Sequence, residues 1–444
     1  MVHVLLTFGL LWSQESSPVP AWRQVLNRAA YAMNVGSPET AGIFQEAFGQ
    51  AERVADGGLA KAIVSSFYSM ILTRQERYGE SEQMLRAAMA VFNRYPREAG
   101  GEHVAALNNL AYVLHQTGRR EEELKCLHLA MERAERIRPV DPMMVVPILG
   151  NLAMLYVESG DFRHAREVLD KAVPYENDSR VAQHRYRMPL LNAASEFHLE
   201  RGETREALEK AALSVKIAEQ SREGESAELS GPLHQLARVE LAMGRLSAAE
   251  RHWKQRLAII RQQRSKDYPH LASILVPLAS LARLQGRDAE AEEMLREAGR
   301  IAELSRRNAV LAVVQHEMAL LEVNRKRFVK AEPLFRSSLA LTANAIGTRN
   351  NEYARCLSDF AATLAAMRKY EAAEAALGEA IRTTEQIRTR PDPMLPAMLN
   401  THAKLLVKLK RKDEARQVQA RAQALRAAGA SEGFGQTVDV LELK

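Results

Sequence analysis

At 444 residues, 26% of them charged and only 6% aromatic, the chain is rich in helix formers and long for one compact core. Its net charge of +6 is equalled by the stretch from Thr401 to Arg426 alone, where eight basic residues oppose two acidic ones. The remainder is balanced, which excludes a nucleic-acid footprint along its length. No internal run reaches the roughly 18 apolar residues of a membrane span.

Residues 1–17 carry an apolar run from Val2 to Trp12. Its length suits a secretory leader, which would make the protein secreted or periplasmic. No Lys or Arg precedes it and no small-residue cleavage site follows, which suits instead a short apolar helix capping the first repeat of a cytoplasmic protein. Residues 18–58 read as a degenerate end pair of helices turning at Gly36-Ser37-Pro38, because a terminal unit needs one solvated face.

From 59 to 428 one unit recurs. Gly118, Gly160, Gly202, Gly244 and Gly286 stand 42 residues apart, and the period continues without glycine at Lys326 after a step of 40, then at Arg368 and Lys410 at 42, and backwards at Glu76. Seven residues before each turn stands a small residue, from Ser69 through Ala111 and Ala153 to Ala403. Five after it stands alanine from Ala165 onward, and nine after it a large residue such as Leu85, Trp253, Phe335 or Leu377. Small residues at fixed places let two helices approach, and the large one fills the gap beside them. Each unit therefore predicts a helix A, a tight turn and a helix B.

Asp141-Pro142, Asp392-Pro393 and the looser Asp267-Tyr268-Pro269 place a capping carboxylate ahead of a proline at a helix start. Pro147 and Pro189 are expected in or near a first turn, whereas Pro277 falls mid-helix, where a kink is expected. Cys126 and Cys356, 230 residues apart, read as small buried hydrophobes. The tail 429–444 breaks helix with glycines and reads either as frayed chain or as a docking peptide.

No phosphate loop, nucleophile elbow or metal-binding helix is present: His316-Glu317 has Leu320, not histidine, at the fourth position on. The sequence thus predicts no enzyme, no metal and no cofactor.

The stretches LNNLAYVLHQTGRREEE (107–123), ILGNLAMLYVESGDFRHA (148–165) and AEPLFRSSLAL (331–341) resemble tetratricopeptide repeats. The 42-residue spacing and residues 266–295 are similar to the longer kinesin-light-chain-type variant. The resemblance implies an all-α, right-handed superhelical solenoid of about nine to ten helix pairs. It further implies that residues ten, nine and six before each turn face a concave groove. Those columns, with Arg283 three before its turn, supply the candidate site: Asn108, Asn109, Tyr112, Asn151, Asn192, His234, Arg238, Arg283 and His316. Asparagine forms helix only moderately well, so a line of four asks for a reason. Their amides can grip the backbone of an extended peptide, or they can bond neighbouring helices. The expected function is a non-enzymatic scaffold or adaptor binding a peptide or partner protein. The alternative is a peptide-sensing regulator that changes curvature on binding.

Overall fold

A computed structural model describes residues 19–34, 37, 39–54, 57–220, 226–263, 267–387 and 394–430. The described residues form twenty-one α-helices and no strand. Twenty of them make ten pairs. The first five are α1 (Ala21–Asn34) with α2 (Thr40–Ala51), α3 (Gly57–Arg74) with α4 (Tyr78–Phe92), α5 (Gly100–Gln116) with α6 (Arg120–Arg136), α7 (Pro142–Glu158) with α8 (Phe162–Glu176), and α10 (Met188–Glu200) with α11 (Thr204–Gln220). The next five are α12 (Ser226–Ala242) with α13 (Leu246–Gln263), α14 (Ala272–Leu284) with α15 (Asp288–Leu304), α16 (Asn308–Asn324) with α17 (Phe328–Ile346), α18 (Asn351–Ala366) with α19 (Tyr370–Ile387), and α20 (Leu395–Lys408) with α21 (Lys412–Ala430). The expected leader region, the 429–444 tail beyond Ala430 and the Asp392-Pro393 cap lie outside the described residues.

All nine predicted turn positions adopt the left-handed conformation. The five glycines have φ between 71° and 76°, and Glu76, Lys326, Arg368 and Lys410 have φ between 58° and 65°. In most turns the following amide closes a Schellman bond to the carbonyl five residues back, as in Arg119 N–H to Leu114 O (2.9 Å) and Arg327 N–H to Glu322 O (2.8 Å). Glycine reaches this conformation without penalty, and the four other residues adopt it because the two helices leave no other path.

The packing columns explain why the pairs form. From Ser69 to Ala361 every small residue seven before a turn is wholly buried, and so is every alanine five after it from Ala165 to Ala373. Leu85, Leu127, Trp253, Leu295, Phe335 and Leu377 fill the large-residue column at 0–1% exposure. In the two turns that precede the alanine column its place is taken by polar pairs. Ser81 Oγ lies 2.7 Å from Thr73 Oγ1, and Glu123, fully buried, accepts from His115 Nδ1 at 3.1 Å.

Asp141 caps α7 as expected, its carboxylate accepting from Met143 N–H with Pro142 at the first position. One expectation is corrected. Asp267 does not cap: Pro269 opens a short 3-10 turn after Tyr268, and the Asp267 carboxylate is 2.7 Å from Arg300. Pro147 is the sixth residue of α7, just past its first turn. Between α8 and α10 the chain adds a one-turn helix α9 (Ser179–Ala182) and a 3-10 turn (Arg185–Arg187) that the period does not reveal.

The chain divides into two compact units, one of residues 1–200 and 205–236, the other of 201–204 and 237–444. The core of the first runs from Leu26, Phe44 and Phe92 to Leu110 and Leu114, then through Leu127, Leu149 and Leu190. That of the second runs through Leu275 and Leu295 and through Phe335, Phe360 and Leu377.

Candidate functional site

Helix A of each pair carries the three columns singled out from the repeat. Residues ten and nine before the turns are mostly buried: Asn108, Asn109, Asn151, Asn192, Gln235, His316 and Glu317 are 0–6% exposed. Residues six before the turns are mostly half-buried, among them Tyr112, Met154, Arg238, Ser280 and Leu320. The outer, accessible line is therefore the latter, with the amides and carboxylates set behind it.

In the first unit, Asn151 Nδ2 donates to Asn108 Oδ1 at 2.9 Å, joining α7 to α5. In the second, His316 Nε2 lies 2.8 Å from Asp359 Oδ2, joining α16 to α18. Both bonds link a residue ten before one turn to a residue nine before the next, 43 positions on. Asn192 and Gln235 stand at the same offset in the first unit. Gln235 Nε2 instead donates to Glu196 Oε2 (2.9 Å) and to Ser195 Oγ (3.2 Å), while the Ser195 hydroxyl donates to Ala207 O (2.8 Å). Asn192 is 3% exposed, and neither its Nδ2 nor its Oδ1 has a hydrogen-bond partner.

Charge is arranged differently in the two units. Between α6 and α7 of the first, Arg120 pairs with Glu158 at 2.8 Å, yet burial outweighs that pull and raises the Glu158 pKa. In the second unit Arg283 pairs with Glu317 at 3.2 Å. Burial works to lower the Arg355 pKa, but the carboxylates of Glu352, Glu317 and Asp359 outweigh it and raise it. The second unit thus presents an interlocked set of guanidinium, imidazole and carboxylate groups along α14, α16 and α18. Tyr112 and His234 are half-buried on helices A of the first unit, and Arg238 is half-buried in the second.

The sequence reading omitted Glu196, Gln235, Glu317, Asp359 and Arg355 from its site. The 43-residue offset was an available signal for two of them, because it pairs Gln235 with Asn192 and Asp359 with His316. The arrangement can donate and accept hydrogen bonds and offer both signs of charge. Burial pushes the thiols of Cys126 and Cys356 up to about 11 and about 12, far from the thiolate form a nucleophile needs. Among the described residues no group of three His, Cys, Asp or Glu side chains is placed to hold a metal ion. Nor is any described helix long and apolar enough to cross a membrane.

Sequence profiles described as Tetratricopeptide repeat match residues 104–141, 146–178, 228–303 and 310–386, together half of the chain. No curated protein matches the chain. Among solved structures, a Rap protein complexed with competence and sporulation factor is similar over 93% of this chain and 99% of its own, with 12% identity and a TM-score of 0.54. The apo form of the quorum sensor NprR from B. thuringiensis is similar over 81% of this chain and 98% of its own, with 14% identity and a TM-score of 0.57. The apo form of RapI is similar over 82% and 98%, with 12% identity and a TM-score of 0.52. At such identities the likeness establishes a shared helical-repeat fold.

Proposed function

The chain belongs to the tetratricopeptide-repeat family, and from that premise we propose that it is a non-enzymatic scaffold whose helix A faces bind an extended peptide or a partner protein. One observation carries the reading. Successive helices A present a half-exposed line, Tyr112 and Met154 in the first unit and Ser280 and Leu320 in the second, backed by ordered polar groups. An extended segment needs apolar footholds with hydrogen-bonding groups at regular spacing beside them, and a repeat supplies both at each step. Chemistry would need an activated nucleophile or a poised acid-base pair, and the buried thiols offer neither.

A photo-crosslinking amino acid at Tyr112 or Leu320, compared with one at Arg296 on helix B, tests the reading. Arg296 is 70% exposed and lies outside the proposed faces. Specific adducts with a peptide or protein partner from Tyr112 or Leu320, and none from Arg296, are expected. Adducts from Arg296 alone would move binding to the helix B side and end the proposal.

A second reading is a sensor that reports the binding of a signalling factor. It is favoured by the likeness, over nearly the full length of both chains, to the Rap protein complexed with competence and sporulation factor.

A further inference from the structure

We propose that Gln235 is a two-position side chain whose amide bonds either Glu196 with Ser195 or Asn192, so that α10 and α12 can be joined in two alternative ways within the first unit. The argument begins with the register. Two bonds show what the offset of 43 positions does: Asn108 meets Asn151 at 2.9 Å, and His316 meets Asp359 at 2.8 Å. Asn192 and Gln235 are the only other couple in the paired columns of the first unit in which both members carry a carboxamide. Each carboxamide can donate and accept at once.

The amide of Gln235 is nevertheless turned toward α10 at a different place. It donates to the Glu196 carboxylate at 2.9 Å and to Ser195 Oγ at 3.2 Å. Ser195 is prepared to accept because its own proton is committed to Ala207 O at 2.8 Å. A charged acceptor outbids a neutral one for the same donor. Asn192 is the group left over: 3% exposed, with both amide atoms buried and unpartnered. A native interior seldom leaves both ends of one carboxamide unmet, and each such group calls for an explanation. An alternative state in which the Gln235 amide meets Asn192 and leaves Glu196 supplies it. Any group that takes the Glu196 carboxylate for itself drives Gln235 to Asn192, by mass action alone. Glu196 stands in the column six before its turn, but at 6% exposure it is set behind the accessible line assigned to partners above. The switch itself is internal to the unit and stands whichever partner binds.

The test uses the full chain with selectively labelled Asn and Gln side-chain amides, followed by nuclear magnetic resonance and amide exchange. Glu196→Met removes the competing acceptor. The Asn192 side-chain protons should then exchange roughly tenfold more slowly, the factor expected for one ordinary hydrogen bond gained. In a Gln235→Met background the same substitution should leave them unchanged. Should Glu196→Met fail to fold, Glu196→Gln keeps the shape, weakens the acceptor and should move the signals the same way by less. Asn192 signals that ignore both Glu196 variants overturn the switch. So does a response that persists without Gln235, or a crystal structure with an ordered water bonded to both Asn192 amide atoms.

Discussion

His103 offers a sharp test of how this repeat tolerates a buried titratable ring. It sits in the first turns of α5, 3% exposed, its ring 5.8 Å from that of Phe92 and its Nδ1 without a partner. Loss of hydration, with the Arg133 charge adding to it, lowers its pKa from 6.5 to about 4. The folded protein therefore holds the ring neutral over a range where the unfolded chain protonates it. Stability from this group is fully present above pH 6.5 and is lost as the pH falls from there toward 4. The interval corresponds to roughly 3 kcal/mol at its limit, most of it spent by pH 4.5. His103→Gln removes the titration while keeping a polar side chain of similar reach. Hydrogen exchange of the α5 amides, measured at pH 7 and 4.5 with intrinsic-rate correction, reads local opening in a fold whose repeats open unevenly. The wild type should lose about 2–3 kcal/mol more protection than the variant across that span. Equal losses, within about 0.5 kcal/mol, would show that His103 is hydrated or paired and refute the reasoning.

The left-handed turns predict a gain that touches no contact. Replacing Lys326 or Arg368, at φ 58° and 61°, by glycine should stabilise the second unit by about 0.5–1 kcal/mol each, relief of the left-handed strain exceeding the added freedom of the unfolded chain. Gly118→Ala, at φ 76° with open space around the site, should destabilise by about 1 kcal/mol in urea unfolding; a neutral outcome would sink the strain argument. Gly150→Ala is the harsher change. A Cβ there would lie 2.5 Å from the Leu190 backbone nitrogen, so α7 and α10 must separate. A loss of about 2–3 kcal/mol is expected, and an unchanged midpoint would mean that the two helices are not in contact.

The fold was legible because one backbone requirement repeats. A left-handed residue every 42 positions, with one step of 40 from Gly286 to Lys326, marked even the turns at Glu76 and Arg368, where no glycine announces it. The burial of Ala111, Ala249 or Trp253 followed from their columns in the same way. The site was legible only in part. Periodicity tells where in a unit Asn108 or His316 stands, but the partner of each is fixed by how far one unit advances on the next. That advance turned an offset of 42 in the turns into 43 in the polar bonds. Nor could a column signal the inserted α9 and 3-10 turn at 179–187, which fall between two units and belong to neither. His115 with Glu123, and Thr73 with Ser81, show why the alanine column seemed to begin late: a polar couple can fill the same space when both members change together.

The bonds spanning 43 positions make the units non-interchangeable. Asn108 finds an amide on its successor and His316 a carboxylate, so these two joints are keyed by different complementary couples divided between neighbours. Duplicating, deleting or shuffling a single unit would keep every turn and every small-residue column and still bring the wrong halves together. An imidazole would face an amide, or a carboxamide would meet an apolar side chain. The order of the units at these two joints is thereby held by the couples between them, and lineages descending from this array should alter both halves of such a joint or neither.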